Sequence, residues 1–102
     1  MSKVMEMAEK LLALGLDVSL NPGPNGIEAT FHSGFYKSDG IVKLWDKDGE
    51  LRLETRYDEL DIINEPMDVV RVSKRWWDYS KNRYDGWKAP AYGWAELYKK
   101  LP

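Results

Sequence analysis

Cysteine is absent from this sequence of 102 residues, and its longest apolar runs span only a few residues. Without cysteine the chain forms neither disulfides nor thiolate metal sites, and nothing in it indicates an oxidising compartment. No segment approaches the roughly 20 apolar residues that a membrane-spanning helix needs, and the N-terminus lacks the apolar core of a signal peptide. We therefore expect a cytoplasmic protein.

Residues that usually support catalysis or metal binding are also scarce. His32 is the only histidine, whereas metal sites and acid–base relays bring several such groups together. Residues 46–50 resemble part of a calcium loop, but its first and twelfth ligand positions would be Leu44 and Thr55, which supply no carboxylate. We therefore expect no enzyme activity, no metal and no cofactor.

The composition is otherwise that of a small globular domain, and we expect residues 1–102 to form a single one. Hydrophobic residues make up 43% and charged residues 31%, close to globular averages. Aromatic residues are numerous for the length, with five Trp, six Tyr and two Phe. The net charge of −2 argues against general binding to nucleic acid.

The most regular part of the sequence is residues 68–87, which we interpret as one long amphipathic helix. At about 100° per residue the polar side chains share one arc: Arg71, Lys74, Arg75, Asp78, Lys81, Asn82 and Asp85. The opposite half is apolar apart from Arg83, and it contains Val69, Val70, Val72, Trp76, Trp77, Tyr79, Tyr84 and Trp87. Ser73 and Ser80 lie in the apolar half, where small side chains allow another element to approach closely.

The N-terminal half predicts a helix followed by strands. Ser2 and Gly15 predict the ends of the first helix, whose buried face would hold Val4, Ala8, Leu11 and Leu12. Alternating apolar and polar residues predict strands over residues 16–20 and 27–32. The intervening residues 21–26, NPGPNG, predict a rigid turn that cannot pair in a sheet.

Residues 41–45 and 50–55 predict a hairpin closed by residues 46–49. If Trp45 pairs with Glu50, the core face of the hairpin is formed by Val42, Leu44, Leu51 and Leu53. Residues 57–63 predict either an edge strand or a turn, and Pro66 suits the first turn of the following helix. Pro90 predicts the start of a short final helix with one apolar face: Trp94, Leu97, Tyr98 and Leu101.

Together these patterns predict an α+β fold. An antiparallel meander sheet of three to five strands would pack against an N-terminal helix and a long C-terminal helix, with a short extra helix at the C-terminus. The sheet would offer one apolar face to both helices.

The aromatic residues suggest a function in protein binding, because exposed Trp, Tyr and Arg often anchor protein interfaces. We expect the binding patch to comprise Trp45, Trp77, Tyr84 and Arg83, with a homodimer as one form of the complex. In a second hypothesis the basic face of the long helix binds nucleic acid phosphates through Arg71, Lys74, Arg75 and Lys81. A third hypothesis is a small-ligand binder with an aromatic cleft.

Residues 76–94, WWDYSKNRYDGWKAPAYGW, also resemble the Trp-rich C-terminal segments of small accessory proteins from tailed bacteriophages and prophages. The resemblance covers less than a third of the chain and transfers no functional residue. It implies a compact protein made in an infected or lysogenic bacterium. It also implies that the partner is a host or phage protein.

Overall fold

The computed structural model describes residues 2–24, 26–32, 41–54, 60–81 and 92–102. In chain order its elements are α1 Lys3–Ala13, β1 Ser19–Gly23, β2 Gly26–His32, β3 Ile41–Lys47, β4 Glu50–Glu54, β5 Leu60–Ile63, α2 Pro66–Lys81 and α3 Tyr92–Tyr98. The strands form one antiparallel sheet in the order β1-β2-β3-β4-β5. The predicted α+β fold with a meander sheet is therefore confirmed, and the sheet has five strands.

Helix α1 begins and ends where the sequence predicts. The Ser2 hydroxyl accepts a hydrogen bond from the Met5 N–H at 3.1 Å and caps the N-terminus. Gly15, with φ of 93°, ends the helix, and the Leu16 N–H returns to the Leu11 carbonyl in a Schellman motif. The predicted buried face is wrong at one position, because Met7 is buried and Leu12 is 52% exposed.

Strand β1 corrects the prediction that residues 21–26 cannot pair. Asn21, Pro22 and Gly23 continue β1 and pair with β2. Gly23 and Gly26 pair on either side of a two-residue turn. The two residues that close such a turn normally exchange two backbone hydrogen bonds. The next pair, Pro22 and Ile27, therefore exchanges none, because hydrogen-bonded and non-hydrogen-bonded pairs alternate along antiparallel strands. Pro22 therefore needs no N–H toward β2, and it lies on an edge strand, where proline is tolerated.

The hairpin of β3 and β4 has the predicted faces but a different register. Lys47 pairs with Glu50 and Trp45 pairs with Arg52, two residues away from the predicted pairing of Trp45 with Glu50. The turn contains only Asp48 and Gly49, whose φ values of 53° and 87° suit a tight hairpin turn. A shift of two residues keeps the described side chains on their predicted faces, because the side chains of a strand alternate with a period of two.

Helix α2 begins at Pro66, and its first turn is closed by Asp68. One Asp68 carboxylate oxygen accepts hydrogen bonds from the backbone N–H groups of Asn64 at 2.9 Å and Glu65 at 3.0 Å. Burial alone would raise the pKa of Asp68, but these N–H groups and the Arg71 guanidinium stabilise the carboxylate and hold its pKa below the usual value. Asp68 thus satisfies donors that precede the helix.

The long C-terminal helix predicted over residues 68–87 is not supported. Helix α2 has 16 residues and ends at Lys81, and the last helix, α3, has only seven. The predicted continuation, which includes Arg83, Tyr84 and Trp87, lies outside the described residues.

All three helices lie on one side of the sheet, which we call the inner face. Helix α1 contacts β2 and β3, α2 contacts β5, and α3 contacts α2. Strand residues Ala29, Leu44 and Leu53 are fully buried there. The helices add their own buried residues to this core: Val4, Met7, Ala8, Leu11, Val69, Val70, Val72, Trp94, Leu97 and Tyr98.

Candidate functional site

The opposite side of the sheet, which we call the outer face, is polar and has a tryptophan at its centre. Its side chains alternate with those of the core, and no described helix covers it. Extending the β2–β3 register by one residue places Glu28 opposite Trp45, and Arg52 is opposite Trp45 on the other side. The described side chains around Trp45 are Glu28, Thr30, Lys43, Lys47, Glu50, Arg52, Glu54 and Ile62.

Polar contacts hold the Trp45 side chain in place. The half-buried indole donates its Nε1–H to Glu54 Oε2 at 3.2 Å. Lys43 Nζ lies 3.4 Å from the same carboxylate oxygen and 3.9 Å from Glu28 Oε1. Arg52 pairs with Glu50 at 2.8 Å. An aromatic ring fixed in this way loses little side-chain freedom when a partner covers it.

Glu28 is an unusual member of the outer face because its side chain is only 8% exposed. Lys43 is its ion-pair partner, and no described group donates a hydrogen bond to Glu28 Oε2. The carboxylate lies where a side chain at position 23 would be, so Gly23 leaves the room that it occupies. The strand alternation already places Glu28 on this face, but it gives no sign that the carboxylate is buried.

Trp77 lies on the other side of the sheet from Trp45. It is half-buried against the core, with its ring centroid 5.7 Å from that of Tyr98 and with Lys74 Nζ 5.3 Å above the ring. The structure therefore does not bring Trp45 and Trp77 into one patch. The other predicted members of that patch, Arg83 and Tyr84, lie outside the described residues.

Ser73 has the close neighbour that its small size predicts. Its hydroxyl lies 2.7 Å from the Tyr98 hydroxyl, a buried hydrogen bond that joins α2 to α3. Burial raises the pKa of Tyr98 well above its usual value, although the bond to Ser73 acts in the opposite direction. Tyr98 is therefore neutral at physiological pH, and its hydroxyl links α3 to α2.

The basic residues of α2 lie on its polar face, as the periodicity predicts, but carboxylates neutralise them. Each basic side chain whose position is described has one such partner: Arg71 with Asp68 at 3.3 Å, Lys74 with Asp78 at 2.7 Å, and Arg75 with Asp61 at 2.7 Å. Lys81 ends the helix, and its side chain lies outside the described part. The described side chains of this face therefore offer no excess positive charge for phosphates.

Two open clefts are found among the described residues. One, of about 270 Å³, lies between α1 and the β3–β4 turn, and Lys3, Lys10 and Ile63 help to line it. The other, of about 420 Å³, lies beside α2, where Lys74, Tyr98 and Leu101 help to line it. No tryptophan lines either cleft, Tyr98 is the aromatic residue of the second, and the aromatic cleft stays a prediction.

Within the described ranges, no group of three His, Asp or Glu side chains is placed to hold a metal ion. None of the described helices has the length and apolar character needed to cross a bilayer. Comparisons with protein-family models, curated proteins and solved structures find no match for this chain. The functional argument therefore depends on the surfaces themselves.

Proposed function

We propose that this protein is a non-enzymatic protein-binding module that contacts its partner through the outer face of the sheet. The observation that carries the proposal is the placement of Trp45 at the centre of this face, with its indole N–H held by Glu54. Tryptophan and arginine are the residues most often found at interface hot spots, and Arg52 lies beside Trp45. Ile62, 51% exposed, adds apolar area on the other side of Arg52.

The charges of the outer face favour a protein partner over nucleic acid. Lys43, Lys47 and Arg52 are balanced by acidic side chains on the same face: Glu28, Glu50 and Glu54. A surface that binds phosphates through electrostatics has an excess of basic residues. A mixture of charges around an aromatic centre is instead typical of the rim and core of a protein interface.

The resemblance of residues 76–94 to phage and prophage accessory proteins supports the proposal that the protein acts in an infected or lysogenic bacterium. In that setting the partner is a bacterial or phage protein, and the module acts by occupying a surface of it. In one form of this proposal the partner is a second copy of the chain, and the two outer faces form a homodimer.

The proposal is tested by capturing proteins from a bacterial lysate with immobilised wild-type protein and two variants. Trp45→Ala removes the centre of the face, whereas Lys99→Ala changes an exposed residue after α3, away from this face, and serves as the control. We expect a partner retained by the wild type and by Lys99→Ala but lost from Trp45→Ala. The same captured proteins with Trp45→Ala as with wild type would contradict the proposal, and a nuclease-sensitive capture would favour nucleic acid.

A further inference from the structure

The Glu28 carboxylate is buried although its contacts compensate only partly for the loss of water. Lys43 Nζ lies 3.9 Å from Oε1, and Oε2 receives no hydrogen bond from any described group. Removing a carboxylate from water is unfavourable unless close opposite charges and hydrogen bonds replace the water. A neutral side chain of the same size would fill this space at a lower cost. The charge of Glu28 therefore has a role other than packing.

Gly23 determines where this carboxylate lies. Asn21 pairs with Glu28, and Gly23, two residues further along β1, is the diagonal neighbour of Glu28 on the same face. A Cβ atom at Gly23 would collide with the Glu28 carboxylate. The backbone of Gly23 does not have positive φ, so its conformation does not itself require glycine. The missing side chain at this position thus serves the placement of Glu28.

A chain of polar contacts leads from Glu28 to Trp45. Lys43 Nζ lies near two carboxylates, because it is also 3.4 Å from Glu54 Oε2. The same Glu54 oxygen accepts the indole N–H of Trp45 at 3.2 Å. Lysine has a flexible four-carbon stem, and this one is 35% exposed, so a single carboxylate would leave it several orientations. A second carboxylate restricts Lys43, and Lys43 in turn restricts Glu54.

The other ion pair of the outer face provides a comparison. Arg52 Nη1 lies 2.8 Å from Glu50 Oε2, and the Glu50 side chain is 56% exposed. Among the described contacts, none connects Glu50 to the indole N–H of Trp45. The two carboxylates thus share a face and a cationic partner, but only Glu28 is linked to the indole.

We propose that Gly23 and Glu28 are positioning residues for the indole of Trp45. They act through Lys43 and Glu54, which hold the indole N–H in the orientation that the structure shows. The inference rests on the proposed function, because a fixed indole matters for binding only if a partner covers the outer face. A ring that is already ordered in the free protein loses less side-chain freedom when the complex forms.

The test measures the order of the Trp45 indole N–H bond in the free protein by ¹⁵N relaxation in NMR spectra. Glu28→Gln keeps the size of the side chain and removes its charge, whereas Gly23→Ala keeps the carboxylate and displaces it. Glu50→Gln makes the same chemical change in the unlinked ion pair and is the matched control. Urea denaturation measures the stability of each variant separately. No partner takes part, so a failure here is distinguishable from a failure of the capture experiment.

We expect wild type and Glu50→Gln to have an order parameter of about 0.85, the value of rigid N–H bonds. Glu28→Gln and Gly23→Ala should lower it to about 0.6 or less, the range of flexible groups. Glu28→Gln should not lower the urea midpoint, because it removes an incompletely paired buried charge while Lys43 keeps its contact with Glu54.

An unchanged order parameter in Glu28→Gln, or an equal fall in Glu50→Gln, would overturn the proposal. A lower urea midpoint with an unchanged order parameter would also overturn it, because Glu28 would then act only in stability. If Glu28→Gln does not fold, Gly23→Ala decides the question, and an order parameter equal to that of wild type in this variant would overturn the proposal.

Discussion

The two faces of the sheet differ although they are built from the same strands. Leu44 on the inner face is fully buried, whereas its neighbour Trp45 points to the outer face and is half-buried. The inner face is aliphatic and meets helices, and the outer face alternates charges around one aromatic ring. The period of two in a β-strand thus separates residues that stabilise the fold from residues available for binding.

Leu44→Ala should have the largest effect on stability. Leu44 lies between Ala29 and Leu53, both also fully buried, so its truncation leaves a cavity that neighbouring strands cannot fill. We expect the free energy of unfolding to fall by about 2–5 kcal/mol in urea denaturation. Lys47→Ala, on the outer face of the same strand, should change it by about 0.5 kcal/mol or less. A loss below about 1 kcal/mol for Leu44→Ala would contradict the division between the faces.

The sequence predicts the faces of the hairpin correctly because apolar residues, which are buried, occur at every second position along each strand. Burial alone does not predict the register, because shifts of two residues bury the same side chains. The choice depends on whether the turn has four residues or two, and here Asp48 adopts positive φ together with Gly49. The sequence signal for the shorter turn is the Asp-Gly pair itself, because Asp-Gly favours positive φ at both turn positions.

The candidate surfaces were less predictable than the fold. Periodicity places Met5 and Leu12 near the apolar stripe of α1, but the position of α1 over β2 and β3 leaves both exposed. That position depends on contacts between distant segments, such as Lys3 with Gly49, which no local pattern encodes. Trp45 was predictable as an outer-face residue, whereas its separation from Trp77 by the sheet required the tertiary structure.

Removing the hydrogen bond between Ser73 and Tyr98 tests how much this polar pair stabilises the core on the inner side of the sheet. Ser73→Ala leaves the Tyr98 hydroxyl buried without its partner, and Tyr98→Phe does the same to Ser73. We expect each to lower the free energy of unfolding by about 1–2 kcal/mol. The double variant should lose about 1 kcal/mol less than the sum of the single losses. Strict additivity would show that the two hydroxyls do not stabilise each other.

Asp68→Ala removes the acceptor at the start of α2 and should cost about 1 kcal/mol at pH 7. Because the folded state lowers the pKa of Asp68, its contribution is complete above the usual value of 3.8 and is lost as the pH falls through the lower folded-state pKa. The difference from wild type should therefore shrink below pH 3.8 in acid titrations of stability. Asp17→Ala, at an exposed carboxylate, is the control, and a constant difference for Asp68→Ala down to pH 2 would refute this account.

Trp45→Ala should cost less than the core and hydrogen-bond variants above, and it provides the sharpest comparison with Leu44→Ala. Trp45 is only partly buried on a face that no described helix covers, and Glu54 keeps its ion pair with Lys43 when the indole is removed. We expect a loss of about 1 kcal/mol or less, the range of cross-strand side-chain pairs, measured by urea denaturation. A loss as large as that of Leu44→Ala would mean that Trp45 belongs to a second core on the outer face. The fixed position of the indole would then be explained by its contribution to the stability of the fold. It would no longer support a role for Trp45 in binding.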